Sequence, residues 1–386
     1  MHLWVCDQTE KSNDTFEDYG LFTQVEQLNK TALKAHGLDK SGHLYKVNSF
    51  DFHRYEDTIK LADDPDYNQA NFEGMLEIKG DTDHTKLIEM LDALNDESQK
   101  IDNVLDTYFD TENLVYWLAF QILTGNCDTQ NRNCYLYSPL NSNTWFFLDW
   151  DNDGMLRKLE LSLTGFSDYA SWERGASNYW GNVLFNRALR SKAFRGELDR
   201  AVKDLRSYMT EARLTKMIKH YREVTESLVF ASPDIDNLPV TKDQYEQIAA
   251  SIPSEIEENY KSFRESFKKP MPFYIGVPQI DNGKLRINWD ASYDFEARDI
   301  RYTVELARDY AISDVVFKAE DVLLPEVTCD APDAGQYFAR VRATNSDGYT
   351  QDAFDYYVTD DGKQYGMKCF YVQDDGKVVE DTYEEG

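Results

Sequence analysis

The sequence predicts an α+β protein in two parts. A mixed helix-and-sheet domain covers residues 1–268, and a small all-β, immunoglobulin-like sandwich covers 273–360, with an extension over 361–386. Three observations carry this expectation. Residues 112–124, ENLVYWLAFQILT, form an apolar run that leads into a polar loop and two strand-like stretches. After Pro272 the pattern changes to short alternating strands divided by turn residues. Apolar residues make up 41% of the chain and aromatics 14%, enough for packed cores.

The chain opens on His2-Leu3-Trp4-Val5, a strand begun in mid-fold with no charged or apolar leader, and the true start is expected upstream of Met1. Gly20 precedes an alternation over Leu21, Thr23 and Val25, then a helical run to His36 closed by Gly37. GHLYKV (42–47) reads as a strand, and 51–111 as polar and helix-rich. In 112–124, Leu114, Trp117, Leu118, Gln121 and Ile122 fall at i, i+3, i+4, i+7 and i+8. The other faces are apolar too, as in a central core helix, and Gly125 ends it. The polar loop NCDTQNRN (126–133) is followed by CYLYSP (134–139) and TWFFLDWD (144–151), joined by a hairpin-type turn. Residues 178–268 read as helical, with one long run over 182–209, and KKPMP (268–272) as a linker. In the sandwich, Trp289 and the alternating Tyr337, Ala339, Val341 and Ala343 are predicted core; the acidic tail from Val378 is predicted to fray.

With 70 acidic residues against 41 Lys and Arg, the net charge is −29. Such a surface repels phosphate backbones, so nucleic acid is a poor partner and a basic protein a better one. Five scattered cysteines with no CxxC pair indicate neither a zinc site nor a disulfide framework. No apolar stretch approaches the ~18 residues of a membrane span.

Residues 126–154 carry the chemistry. Phosphoryl transfer needs a carboxylate to orient the attacking hydroxyl and oxygen ligands for a divalent cation. Asp128 and Asn133 stand at the Asp-x4-Asn spacing of a kinase catalytic loop. Asp149, Asp151 and Asp153, with Gly154, end the hairpin strand, where kinases carry a metal-binding Asp. The same DWDNDG also matches the start of a calcium loop whose twelfth position is Glu160, although a strand, not a helix, precedes it.

GNCDTQNRNCYLY and WFFLDWDNDG, preceded by DYGLFTQVEQLNK and GHLYK, resemble the CotH (spore-coat protein H) kinase family over about residues 1–265. The resemblance implies an atypical protein-kinase-like fold, ATP with Mg2+ or Mn2+, and transfer to Ser or Thr of a protein. By position it makes Asp128 the catalytic base. Asn133, Asp151 and Asp153 become metal ligands, and Gln130 and Arg132 the loop's other polar positions, Arg132 orienting Asp128 or meeting a phosphate. Glu26 matches a family glutamate, and Lys46 is a candidate to face the nucleotide. It further implies a bacterial envelope or secreted setting, and with the net charge of −29 the expected acceptor is a basic, Ser/Thr-rich protein. The chain departs from the family pattern in its N-terminal lobe, which reads as truncated. No G-x-G-x-x-G loop is present, and no early Lys pairs with a Glu. Residues 273–360 resemble a fibronectin type III-like domain. The competing reading is a catalytically impaired surface, assembly or adhesion protein.

Overall fold

A computed structural model of the protein describes residues 1–6, 15–165, 169–360 and 362–381. The chain divides into two units, Met1–Ser167 with Ser191–Glu258, and Asp168–Arg190 with Asn259–Gly386.

The first unit begins with an antiparallel pair, β1 (His2–Val5) and β2 (Glu17–Leu21). The alternation expected over Leu21, Thr23 and Val25 is not a strand. The β2 ladder ends at Leu21, opposite His2, and residues 22–28 carry no regular structure. Both carboxylate oxygens of Asp234 accept the Leu21 N–H, at 3.1 Å. Gly20 (φ +82°) lies so close that a Cβ there would stand 2.5 Å from Asp234 Oδ2. Helix α1 (Lys30–Ala35) starts at Asn29, whose Oδ1 accepts the N–H groups of Thr31 and Ala32.

A four-stranded antiparallel sheet organises the unit. It is built from β3 (His43–Val47), β4 (Leu76–Ile78), β5 (Cys134–Ser138) and β6 (Phe146–Asp149), in the order β4-β3-β5-β6. Helix α2 (Gln69–Met75) leads into β4, and α3 (Thr85–Asn95) and α4 (Ile101–Tyr108) follow. One sheet face packs Leu44, Tyr135, Tyr137, Phe146, Leu148 and Trp150 with Leu28 and Leu33.

The predicted core helix is α5 (Thr111–Thr124). Asp110 caps its start, and Gly125 in left-handed geometry (φ 65°, ψ 28°) ends it, as its lack of a Cβ allows. Leu118, Ala119 and Leu123 are completely buried. Asn113 serves the edge of β6 as a surrogate strand. Its Nδ2 donates to Phe147 O (3.0 Å) and its Oδ1 accepts Phe147 N–H (2.7 Å).

The remaining helices are α6 (Lys158–Thr164), α7 (Val183–Arg190), α8 (Lys192–Tyr208), α9 (Glu211–Val229) and α10 (Lys242–Ser266). The single run expected over 182–209 breaks at Ser191, which caps α8 by accepting Phe194 N–H at 3.2 Å. Among the described residues, no helix is long and apolar enough to cross a membrane.

In the second unit, α7 and residues 169–182 join an all-β sandwich. Strands β7 (Gln279–Asp281), β8 (Lys284–Asn288), β9 (Ile300–Ala307), β10 (Val315–Val322), β11 (Glu326–Asp330) and β12 (Gly335–Asn345) come first. They are followed by β13 (Thr350–Asp352), β14 (Tyr356–Thr359), β15 (Gly362–Tyr365), β16 (Met367–Val372) and β17 (Val378–Glu380). One sheet runs β10-β9-β12-β16-β17, with β13 also on β12; the other runs β11-β8-β7. Leu285 and Ile287 from one sheet share a core with Val304, Leu306, Tyr337, Ala339, Val341 and Ala343 from the other. Trp289, as predicted, is buried there.

The extension over 361–386 contributes β16 and β17 to the larger sheet, β16 lying directly on β12, and the tail expected to fray from Val378 is paired with β16 through Glu380; residues 382–386 lie outside those described. The segment expected as a linker is packed, because Met271 is completely buried and donates its N–H to Tyr293 O at 2.8 Å. Trp172 donates Nε1 to Ala353 O at 3.2 Å and meets Phe354 edge-on, and Trp180 stacks on Tyr293.

Candidate functional site

Strand register brings the two candidate loops to one end of the first unit's sheet. Val47, at the end of β3, lies opposite Cys134, at the start of β5; Cys134 in turn lies opposite Asp149, at the end of β6. The loop entering β5 (126–133) and the turn leaving β6 (150–154) must therefore emerge side by side. Asn133 N–H donates to Val47 O at 3.3 Å, and Phe50 N–H to Asn131 O at 2.7 Å. Gly154 closes the gap: a Cβ at this residue would stand 2.6 Å from Asn126 Oδ1 and 3.5 Å from Asp128 Cβ. Only a residue without a side chain lets the turn approach the loop so closely.

Asp128 sits in a single 3-10 turn, Cys127–Thr129, started by Asn126, whose Oδ1 accepts the Asp128 N–H at 3.3 Å. Asn133 Nδ2 donates to Asp128 Oδ2 at 2.7 Å, so the two ends of the Asp-x4-Asn stretch meet. Arg132 Nε lies 3.7 Å from Asp128 Oδ1, and with both side chains exposed this ion pair contributes little. Gln130 turns back on its own loop, donating Nε2 to Cys127 O at 3.2 Å.

Asn133 (φ 59°) and Asp151 (φ 56°) both occupy left-handed backbone, which Asn and Asp tolerate better than bulkier residues. Leu156 (φ 57°) does so without that excuse, pinned by its N–H on Thr124 O at 2.8 Å. Asp153 lies in the 3-10 turn Asn152–Gly154 that follows. Three such residues at one sheet end is the kind of held strain that collects at working sites.

A buried amide network joins the two loops, and sequence reasoning missed its role. Gln121, on the buried face of α5, donates Nε2 to Asp149 Oδ1 (3.0 Å) and Asn152 Oδ1 (3.3 Å). Its Oε1 accepts Asn126 Nδ2 at 3.0 Å. The available signal was a glutamine at a core position of an apolar helix, which must find partners to be buried. Asp149 retains solvent on one side, but surrounding protein raises its carboxyl pKa above the ordinary value, a shift partly opposed by the Gln121 hydrogen bond.

Lys46 is one residue from the end of β3, opposite Tyr135, and its ammonium lies 5.7 Å from the centre of the Trp150 ring. Glu26 is not brought to these loops by any contact described. Its carboxylate meets His36 Nε2 at 2.7 Å, both side chains exposed. Glu160, the twelfth position of the calcium-loop reading, receives both Nε and Nη2 of Arg157 at 2.9 Å, and it lies within helix α6. Among the described residues, no group of three or more His, Cys, Asp or Glu is gathered for a metal ion. The donors at the sheet end are carboxylate and amide oxygens, a set that suits a hard divalent cation completed by phosphate oxygens and water.

The family model described as CotH kinase protein matches residues 9–263. No curated protein matches the chain. The solved twitchin kinase region from C. elegans (Fn31-NL-kin-CRD-Ig26) is similar at 19% identity and a TM-score of 0.19. The match covers 25% of this chain and 20% of that one, and at this score it carries no argument.

Proposed function

The chain belongs to the CotH kinase protein family, and from that premise we propose that it is a metal-dependent protein kinase that moves the γ-phosphoryl group of ATP to a Ser or Thr hydroxyl. The observation that carries the proposal is the meeting of Asp128, Asn133 and the Asp151–Gly154 turn at one sheet end, with Asn133 bonded to Asp128.

In this reading Asp128 orients the acceptor hydroxyl and takes its proton as the new O–P bond forms. The bond to the bridging oxygen breaks, and ADP leaves. Asp151, Asp153 and the amide oxygen of Asn133 would hold the cation. Bound there, Mg2+ or Mn2+ would neutralise the charge of the β- and γ-phosphates. Lys46 would add positive charge on the phosphates. A net charge of −29 favours a basic acceptor protein. The envelope or secreted setting and the fibronectin type III-like identity of the sandwich belong to the same proposal and rest on resemblance.

The test is calorimetry of ATP binding with Mg2+ or Mn2+, on this chain and on Asp151→Ala. Metal-dependent binding that the variant loses is the expected result. A folded chain that binds no nucleotide would overturn the proposal and favour the assembly or adhesion reading.

A further inference from the structure

We propose that Trp150 is a positioning residue for Lys46: its indole holds the lysine ammonium beside the Asp151–Asp153 turn, ready for the phosphates of a nucleotide. The inference rests on the kinase reading above and adds to it a residue with no polar chemistry of its own.

Four observations carry it. Trp150 stands between Asp149 and Asp151, so its backbone is part of the acidic turn. The Lys46 ammonium lies over its ring at 5.7 Å, within the range of attraction between a cation and an aromatic face. The ring is itself braced, with Tyr135 meeting it edge-on at 5.4 Å and 77°, and it shares the packed face with Leu148 and Leu44. Finally, Lys46 is uncommitted. Its neighbour across the ladder, Glu77, is engaged by Lys79, and among the described residues no carboxylate pairs with Lys46. In a chain with 70 acidic and 41 basic residues, this half-buried lysine, which pairs with no carboxylate among the described residues and lies over the ring of the residue before Asp151, is placed to meet an anion such as a phosphate. A lysine stem has four rotatable bonds, and an indole face limits where its head can go.

Calorimetry with MgATP on the wild-type chain, Trp150→Leu, Trp150→Phe, Lys46→Met and the Trp150→Leu/Lys46→Met double variant tests the inference. Trp150→Leu is expected to weaken MgATP binding about fivefold, and Trp150→Phe to restore most of it, since a benzene face also attracts the cation. The double variant should bind no worse than Lys46→Met alone. Adenosine, which has no phosphate, should bind wild type and Trp150→Leu equally.

Additive losses in the double variant, or an equal loss toward adenosine, would overturn the proposal, the latter by making Trp150 a platform for the base. An unchanged Trp150→Leu in a wild-type background that binds MgATP would overturn this inference alone. A wild-type chain that binds no MgATP would overturn the kinase reading and this one with it. Should Trp150→Leu fail to fold, Trp150→Phe against Trp150→Tyr in both Lys46 backgrounds carries the same cycle.

Discussion

Two sheet regions of this molecule are held together in opposite ways. In the second unit, Leu285, Ile287, Val304, Val341 and Ala343 come from alternate strand positions and are completely buried among neighbours of their own kind. At the loop end of the first unit's sheet, Gln121, Asn126, Asp149 and Asn152 are held by directional hydrogen bonds. Asn133 and Asp151, close by in the chain, sit in left-handed backbone. Packing of the first kind is non-directional and supplies most of the stability. Bonding of the second kind contributes little net stability and fixes where oxygens stand.

The contrast can be broken at three places. The largest effect is expected from Leu285→Ala, which opens a cavity in the sandwich and should cost about 2–5 kcal/mol in denaturant unfolding. MgATP affinity, measured where the variant is folded, should not change; a parallel fall would mean that the sandwich supports the site. Next is Gly154→Ala, whose new methyl would press on Asn126, a buried side chain already bonded to Gln121. Stability should fall by only about 1 kcal/mol, while MgATP affinity drops about tenfold. An unchanged affinity would show that the turn and the loop need not touch.

The smallest effect belongs to Asp149→Asn. Burial raises the Asp149 pKa in the folded state, so the folded chain holds this proton more tightly than the unfolded chain. The group then costs stability once both states are ionised, and the cost disappears as pH falls through the raised value toward the ordinary ~3.9. Asparagine keeps an oxygen for Gln121 and carries no charge. A slight gain in melting temperature at pH 7 that vanishes near pH 4 is expected. A gain that persists at pH 4 would refute burial of the charge as its source.

Much of this was legible from local pattern. The run at 112–124 is α5 within a residue, and the hairpin after it forms where the alternation indicated. Asp128 and Asn133 were singled out from their spacing and Asp151 from its place after the hairpin strand, and the antiparallel register that brings the loop and the turn carrying them to one sheet end follows from a hairpin after the loop. What escaped was non-local. Lys46 and Trp150 are far apart in sequence and meet through the pairing of β3, β5 and β6. Strand β16 reaches β12 past three intervening strands, β13, β14 and β15, so it read as an appendage. Leu21, Thr23 and Val25 alternate like a strand, yet among the described residues none pairs with 23–28 in a ladder, because alternation records burial and says nothing of who lies alongside.

The interleaving of the two units has a practical edge. Residues 168–190 are threaded between two parts of the first unit, yet Trp172 and Trp180 find their partners at Ala353, Phe354 and Tyr293. A truncation after residue 268, placed where the sequence looks easiest to cut, would strip both indoles of cover and leave a sticky protein whose low yield could pass for a faulty catalytic domain. No single cut divides the units, since residues 168–190 belong with the second unit together with the chain from Asn259 onward.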